Sequence, residues 1–432
     1  MRSNKVLDAL GKTLTLVLAG GEGERLYPLT RDRAKPAVPF AGNYRLIDFT
    51  LSNCLNSGIR RIHVLTQYKS DSLNRHIRLG WNIFNPELGE YVEINPPQMR
   101  LASHWYLGTA DAIYQNIYTL EKTRPDYVLL LSGDHVYRMD YSKIVGQHVK
   151  TGADLTIASI PLPRTEARRL GVISVDDDMR VKEMVEKPDD PPPMPSGLQK
   201  GGETDVSLCS MGVYVFRTEV MVRRIIEDSK RDSTHDFGRD VVPAMIEMGD
   251  RVYGYRFAGV GQQECPYWKD VGTLDSYWQS QMEILSGFAG QGGAVFDLYD
   301  SAWPIRTYVR HAPPAMLMCN DDKGGEGSHF CNSLIGNASV VERANVRNSI
   351  IGPGVIIKEG STIENAIVLS RVRIGRGVTV KNAVIDKDNN IPDGFSIGEN
   401  RGRDATHFKV SKGGIVVVPK QMPLFRREDK NA

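Results

Sequence analysis

Between positions 16 and 40 the chain reads LVLAGGEGERLYPLTRDRAKPAVPF, and these residue types could do chemistry. Gly20, Gly21 and Gly23 permit positive φ and put no Cβ between the backbone and an incoming ligand. Successive free N–H groups in such a turn form a concavity for anionic oxygens. Arg25, Arg31, Arg33 and Lys35 follow at once, so backbone donors and cations share one short stretch. That combination suits a polyphosphate. Pro36 and Pro39 fix φ beside Lys35 and limit how far its segment can wander. A second candidate is Asp134, in Ser132-Gly133-Asp134-His135 directly after the apolar run 127–131. A carboxylate just past the end of a buried strand lies where open α/β sheets bind ligands. It needs a cation there to offset its burial. Alone, such an aspartate is more commonly a turn or cap residue; the Gly-Asp-His context and its place after the strand favour a metal ligand, with His135 structural.

Neither familiar phosphate fingerprint is complete. Gly21 and Gly23 open a G-x-G, but position 26 is Leu, and no Gly-Lys-Ser/Thr follows. The elements that must hold the loop are nevertheless legible. Residues 14–18 are an apolar run bounded by glycine, the pattern of a buried strand. Residues 44–57 place Ile47, Leu51, Cys54 and Leu55 on one helical face, with Gly58 as the stop. Strands are expected at 62–66, 127–131, 154–160, 171–173, 181–185 and 213–216, and a helix at 70–79. Residues 87–103 read as a long loop stiffened by Pro96-Pro97, and 188–202 as a Pro-rich surface loop. Strands alternating with helices predict an α/β, Rossmann-like sheet of parallel strands with ligand loops at their carboxyl ends.

From Gly287 the texture changes to a glycine-rich exit, GFAGQGG. Beyond it aliphatic residues recur at steps of six: Ile351, Ile357, Ile363, then Val368, Ile374, Val380, then Ile385, Ile391, Ile397. The step between series is five, so the pattern repeats every seventeen residues. Such hexapeptide periodicity marks a parallel β-helix, in which each short strand buries one aliphatic side chain in a prism. A β-sandwich would instead show alternation. The expected organisation is a catalytic domain at 1–286, a linker at 287–330 and a β-helix domain at 331–432.

The run GGEGERLYPLTRDRAKPAVPF resembles the signature of sugar-phosphate nucleotidyltransferases. Its RAKPAV core is most similar to ADP-glucose pyrophosphorylases (glucose-1-phosphate adenylyltransferases). The similarity extends over essentially the whole chain, through WYLGTADA at 105–112, EKP at 186–188, SMG at 210–212, HDFG at 235–238 and WKDVGT at 268–273. The resemblance implies a nucleotidyltransferase domain followed by a left-handed β-helix. It implies the reaction of ATP with α-D-glucose 1-phosphate to give ADP-glucose and pyrophosphate, serving glycogen synthesis. It places Arg25 and Lys35 on the phosphates, and Asp134 with Asp270 on Mg²⁺, a hard ion that takes one or two carboxylates plus phosphate oxygens. Gly20, Gly21, Gly23, Gln98, Gly108 and Thr109 would meet the nucleotide. Tyr106, Gly171, Glu186, Lys187 and Ser210 would meet the glucose phosphate, while HDFG reads as a structural turn and helix start. A phosphate monoester is already an anionic nucleophile, so no residue needs a shifted pKa; the work is positioning and charge stabilisation.

Composition agrees. At 432 residues two domains are natural. A net charge of +2 implies no general affinity for nucleic acid or membranes. Five cysteines without a CxxC pair point to reduced thiols and a cytoplasmic setting. The apolar run 14–19 is too short for a secretory signal and leads straight into the glycine loop. Members of the resembled family are homotetramers that bind anionic effectors where their two domains meet. Arg31, Arg33, Arg45 and Lys387 are the candidate cations for such a site, with solvated surface charge as the plain alternative. Asp32 stands where fructose-bisphosphate-activated relatives carry lysine. It favours a singly phosphorylated or carboxylate activator, such as fructose 6-phosphate or pyruvate. Three other readings compare less well. A non-catalytic regulatory subunit would be expected to lose charged site residues that are all present here. An acetyltransferase β-helix would need more coils than this region offers. A pyrophosphorylase for UTP, dTTP or GTP stays open on physical grounds, because every nucleotide offers a phosphate loop the same phosphates.

Overall fold

The computed structural model describes residues 3–97, 105–199, 205–260, 266–287, 296–319 and 329–424; Gln98 lies outside them. The N-terminal part is built on a nine-stranded sheet. Its strands are β1 (Thr13–Ala19), β2 (Arg61–Thr66), β3 (Tyr91–Asn95), β4 (Tyr127–Ser132), β5 (Leu155–Pro163), β6 (Gly171–Val175), β7 (Val181–Glu186), β8 (Val206–Arg217) and β9 (Val252–Arg256). In space the order is β7-β6-β8-β4-β1-β2-β3, with β5 on β8 and β9 on β5.

Strands β1, β2, β3 and β4 are mutually parallel where they pair. The carboxyl ends of β1 and β4 therefore bring the glycine loop and Asp134 to one edge, as the sequence predicts. The sheet is not parallel throughout, however: β8 runs antiparallel to β4, β5 and β6, and β6 to β7. The link between β6 and β7 is too short for a crossover, so the chain can only double back there. Strand β3 lies inside the stretch expected to be loop. It pairs along β2 at the sheet edge and is only partly buried, so no apolar run announced it.

β1 and β4 are buried on both faces. Val17, Leu129 and Leu131 enter a core with Ile47, Leu51 and Tyr141. Leu14, Leu16, Val128 and Leu130 enter another with Ile113, Phe216 and Met221. That double burial makes their sequences continuous rather than alternating. The helix Leu46–Ser57 packs beneath the loop edge and buries Asp48 completely. The Asp48 carboxylate is satisfied by the His76 ring (2.6 Å), Trp81 Nε1 (2.9 Å), the Arg45 N–H (2.9 Å) and the Thr307 hydroxyl (2.7 Å). Residues 303–307, read as linker, are thus packed onto this helix, where Trp303 also donates to Asn53 Oδ1 at 2.9 Å.

The C-terminal part consists of three parallel sheets of five, five and six strands, the last including one antiparallel partner. Ile351 pairs with Val368 and Val368 with Ile385; Ile357, Ile374 and Ile391 stack likewise, as do Ile363, Val380 and Ile397. The step of six carries the chain from sheet to sheet, and the repeat of seventeen stacks one coil on the next. Corners are turned by Asn348, Asn365 and Asn382 at φ 47°, 49° and 46°, a region asparagine tolerates. Asn348 and Asn365 are linked at 2.7 Å in a side-chain ladder. The first stacked strand, Met316–Met318, again falls within the expected linker. The helix Leu274–Gly287 joins the two parts: Leu274 and Tyr277 share one core with Ile350, Ile367 and Val417. Trp278 Nε1 donates to the Asn365 carbonyl at 2.9 Å. Among the described residues no helix is long and apolar enough to cross a membrane.

Candidate active site

After β1 the chain turns through the glycines into a one-turn helix, Glu24–Leu26. Gly23 is at φ 66°, and a Cβ there would sit 3.0 Å from Thr30 and 3.1 Å from Lys35, so only glycine fits comfortably. The segment then folds Lys35–Ala37 into a second short turn, which buries Lys35 to 8 % exposure. Its Nζ lies 2.7 Å from Asp134 Oδ2 and 3.0 Å from Asp270 Oδ1. The two aspartates meet because Trp268–Asp270 pairs antiparallel with His135–Tyr137, setting Asp270 opposite His135. Arg25 stands close by, since a Cβ on Gly272 would lie 3.4 Å from its Nη2 and 3.2 Å from Asp270 Oδ2.

Electrostatics hold this cluster charged. Burial works against the charge on Lys35, but the two carboxylates outweigh it and raise its pKa. Burial likewise works against Asp134 and Asp270, yet Lys35 holds both below the usual carboxylate range. A positive ammonium already lies between the two acids. A donor set of two carboxylates that accommodates one cation in this way fits a divalent ion.

Two clefts meet at this cluster. One, of about 490 Å³, is lined by Gly21, Gly23, Arg25, Lys35 and Asp134. The other, of about 220 Å³, is lined by Arg25, Gly171, Glu186, Lys187, Ser210 and Asp270, among others. In the second cleft a Cβ on Gly171 would lie 2.8 Å from Glu186 Oε2, so glycine there leaves room for the acid. Glu186 Oε1 is 3.2 Å from Lys187 Nζ. Ser210 precedes a bulge in β8 that carries Gly212 at φ 65°. Its hydroxyl is 3.2 Å from that of Tyr214, which the same bulge turns into the cleft.

Not every expected residue arrives. Gly20 packs against Gln67 rather than lining the phosphate cleft. Tyr106 is half-buried with its hydroxyl accepting from Asn116 at 2.9 Å, and it lines neither cleft. Gly108 abuts the His235 carbonyl. Thr109 lies on the sugar side, donating to Asp236 Oδ2 at 3.1 Å and accepting from the Phe237 N–H at 3.0 Å. Asp236 has the capping role expected of the HDFG turn, accepting from the Gly238 and Arg239 N–H groups, but it also lines the sugar cleft. Tyr214 and Arg169 are cleft residues that sequence reasoning missed. Tyr214 follows Ser210 by four positions in one strand, and only an unseen bulge brings it round.

Comparison with known proteins fits this geometry. A nucleotidyl transferase family model matches residues 14–287, and a GlmU-like C-terminal hexapeptide model matches 313–418. A glucose-1-phosphate adenylyltransferase 2 of Vibrio vulnificus is 50 % identical over 410 residues, covering 94 % of this chain and 98 % of the relative. One from Vibrio cholerae is 46 % identical over 411 residues, covering 94 % and 97 %. A glucose-1-phosphate adenylyltransferase of Koribacter versatilis is 43 % identical over 417 residues, covering 96 % and 97 %. The chain belongs to the glucose-1-phosphate adenylyltransferase family. Membership spans both parts of the molecule, so the β-helix belongs to the same unit of descent as the clefts.

The candidate effector cations are divided by the structure. Arg33 is buried in an ion pair with Asp386, with three contacts of 3.0 Å. Arg31 pairs with Asp32 at 3.0 Å and donates to the Lys420 carbonyl at 2.8 Å. Neither lines the cleft of about 440 Å³ between the two parts, and neither does Asp32. Arg45 and Lys387 do line it, with His76, Arg310 and Arg371. Asp32, paired with Arg31 and outside this cleft, therefore gives no ground for preferring a singly phosphorylated or carboxylate activator.

Proposed function

We propose that this protein transfers AMP from ATP to α-D-glucose 1-phosphate, giving ADP-glucose, a glucosyl donor for glycogen, and pyrophosphate. The observation that carries the reading is Lys35 between Asp134 and Asp270 where a phosphate-type cleft meets a sugar-type cleft. The N–H groups around Gly21 and Gly23 and the Arg25 guanidinium hold the outer phosphates of ATP. Lys187 holds the phosphate of the sugar, and Glu186, Ser210 and Tyr214 offer partners to its hydroxyls. The sugar-phosphate oxygen, already anionic, attacks the α-phosphorus directly. Asp134 and Asp270 would hold Mg²⁺, which supplies charge neutralisation at the phosphate oxygens. Lys35 stays protonated against those acids and faces the charge that develops on the leaving pyrophosphate.

Identity with adenylyltransferases over nearly the whole chain supports adenine over other bases. Pyrophosphate release from glucose 1-phosphate with ATP, UTP, dTTP and GTP in turn tests this; faster turnover with any of the last three would replace the reading. The homotetramer implied by the resemblance belongs to the same proposal and is read by light scattering. So does an anionic effector in the cleft between the two parts, now resting on Arg45 and Lys387 rather than on Arg31 and Arg33.

A further inference from the structure

We infer that His135 is a third, nitrogen ligand of the cation site formed by Asp134 and Asp270, giving that site a preference for Mn²⁺ over Mg²⁺ that two carboxylates alone would not have. The inference rests on the proposed role of those two acids. His135 Nδ1 lies 3.2 Å from the carbonyl oxygen of Met211. A carbonyl can only accept, so Nδ1 carries the hydrogen, and in the neutral ring Nε2 bears the lone pair. That lone pair faces the acids: Nε2 is 3.6 Å from Asp134 Oδ1 and 3.8 Å from Asp270 Oδ1. Both separations exceed a hydrogen bond. One ligand atom from each of the three residues lies within 4.8 Å of the others, a spacing one ion can bridge.

The ring is held in this pose from three sides. Trp268 meets it edge to face at 5.2 Å and 79°. The bulge in β8 presents the Met211 carbonyl to Nδ1. Gly212, at φ 65°, leaves the ring its room, since a Cβ there would lie 3.3 Å from His135 Cε1. A backbone carbonyl fixing the tautomer of a histidine whose other nitrogen faces carboxylates is the arrangement that supports metal-bound imidazoles. Lys35 contacts Asp134 through Oδ2, leaving Oδ1 to the histidine side, although it shares Asp270 Oδ1. Mg²⁺ favours an all-oxygen shell, whereas first-row transition ions gain from imidazole.

The test is Mn²⁺ binding followed by electron paramagnetic resonance, with pyrophosphate as a nitrogen-free anion and Mg²⁺ as competitor. Pulsed spectra of the wild-type protein should show a nitrogen coupling that changes when histidine is supplied as ¹⁵N. His135→Gln should abolish that coupling and weaken Mn²⁺ binding about tenfold, with Mg²⁺ binding weakened clearly less. A wild-type spectrum without histidine nitrogen, or a coupling that persists in His135→Gln, overturns the inference even if the variant folds poorly, because the wild-type spectrum stands alone. Asp134→Asn separates the two levels: it should weaken both ions. Full Mn²⁺ binding in that variant, or none in the wild type, would remove the two-carboxylate reading and the inference with it.

Discussion

Lys35 keeps its charge in a buried position because two carboxylates meet it there, at 2.7 and 3.0 Å. Removing the charge of either acid would leave the ammonium without part of that support. This is a site built to hold charges in place, not to pass protons. Lys187 does the corresponding work on the sugar side. It directly follows β7 in the left-handed region, at φ 53°, with its N–H tied to the Leu170 carbonyl at 2.9 Å. The backbone therefore aims a half-exposed side chain at the sugar cleft. Lys187→Ala should raise the KM for glucose 1-phosphate by about 10²-fold, the loss of one charge-assisted phosphate contact. The KM for ATP should change by less than about threefold. Steady-state kinetics with each substrate varied in turn checks this; equal rises in both constants would place Lys187 between the sites.

Among the elements, the bulge in β8 does most to shape the site. It lets one strand offer Ser210 and Tyr214 to the sugar cleft and the Met211 carbonyl to His135. Gly212→Ala would put a methyl 3.2 Å from Ser132 Oγ and 3.3 Å from His135 Cε1 at a φ that side chains rarely adopt. Gly249 has a similar φ of 78° but open space around its missing Cβ. Gly249→Ala should therefore cost only the backbone strain of ~1 kcal/mol. Gly212→Ala should cost more and also raise the KM for glucose 1-phosphate. Thermal melts and kinetics of both variants decide it; identical behaviour would reduce the bulge to an ordinary turn. The same bulge marks where sequence reading fails. The six-residue steps and the doubly buried β1 and β4 were legible because each signal repeats or runs unbroken along the chain. Strand β3, the antiparallel direction of β8, and the choice of Tyr214 over Tyr106 depend on register between distant segments, which no local pattern carries. Lys35 and Asp134 carried local signals, but Asp270, Glu186 and Lys187 were readable only through the resemblance, and nothing local says that positions 35, 134 and 270 converge.

Across the whole molecule, the two parts are clamped by Arg33 and Asp386, which are 5 % and 1 % exposed at their side chains. Breaking such a pair from one side strands a buried charge. Asp386→Ala should lower the unfolding free energy by about 3–5 kcal/mol, whereas Arg33→Met with Asp386→Leu should recover most of it. Urea unfolding of the three proteins tests this, and a double variant worse than Asp386→Ala would contradict it. Beside the clamp lies the cleft with Lys387, whose pKa is pushed down to about 7. Burial is the main cause, followed by Arg45 and Arg33, with Asp386 opposing them. Below about pH 7 the lysine is charged and adds to Arg45; above it that attraction fades. An anion bound there must therefore take up a proton on the alkaline side. Pyruvate stays ionised throughout, so its half-activating concentration should rise about three- to tenfold between about pH 6.5 and 8.5. Lys387→Met should flatten that rise. A flat profile in the wild type would move the effector elsewhere.

In this reaction the sugar phosphate attacks ATP directly, and the protein supplies only position and charge. Exchange of radiolabelled pyrophosphate into ATP reads it most directly. Rapid exchange is expected when ADP-glucose or glucose 1-phosphate is present, and none when both are absent. Exchange at a comparable rate without any sugar compound would require an adenylylated enzyme and rule out direct attack.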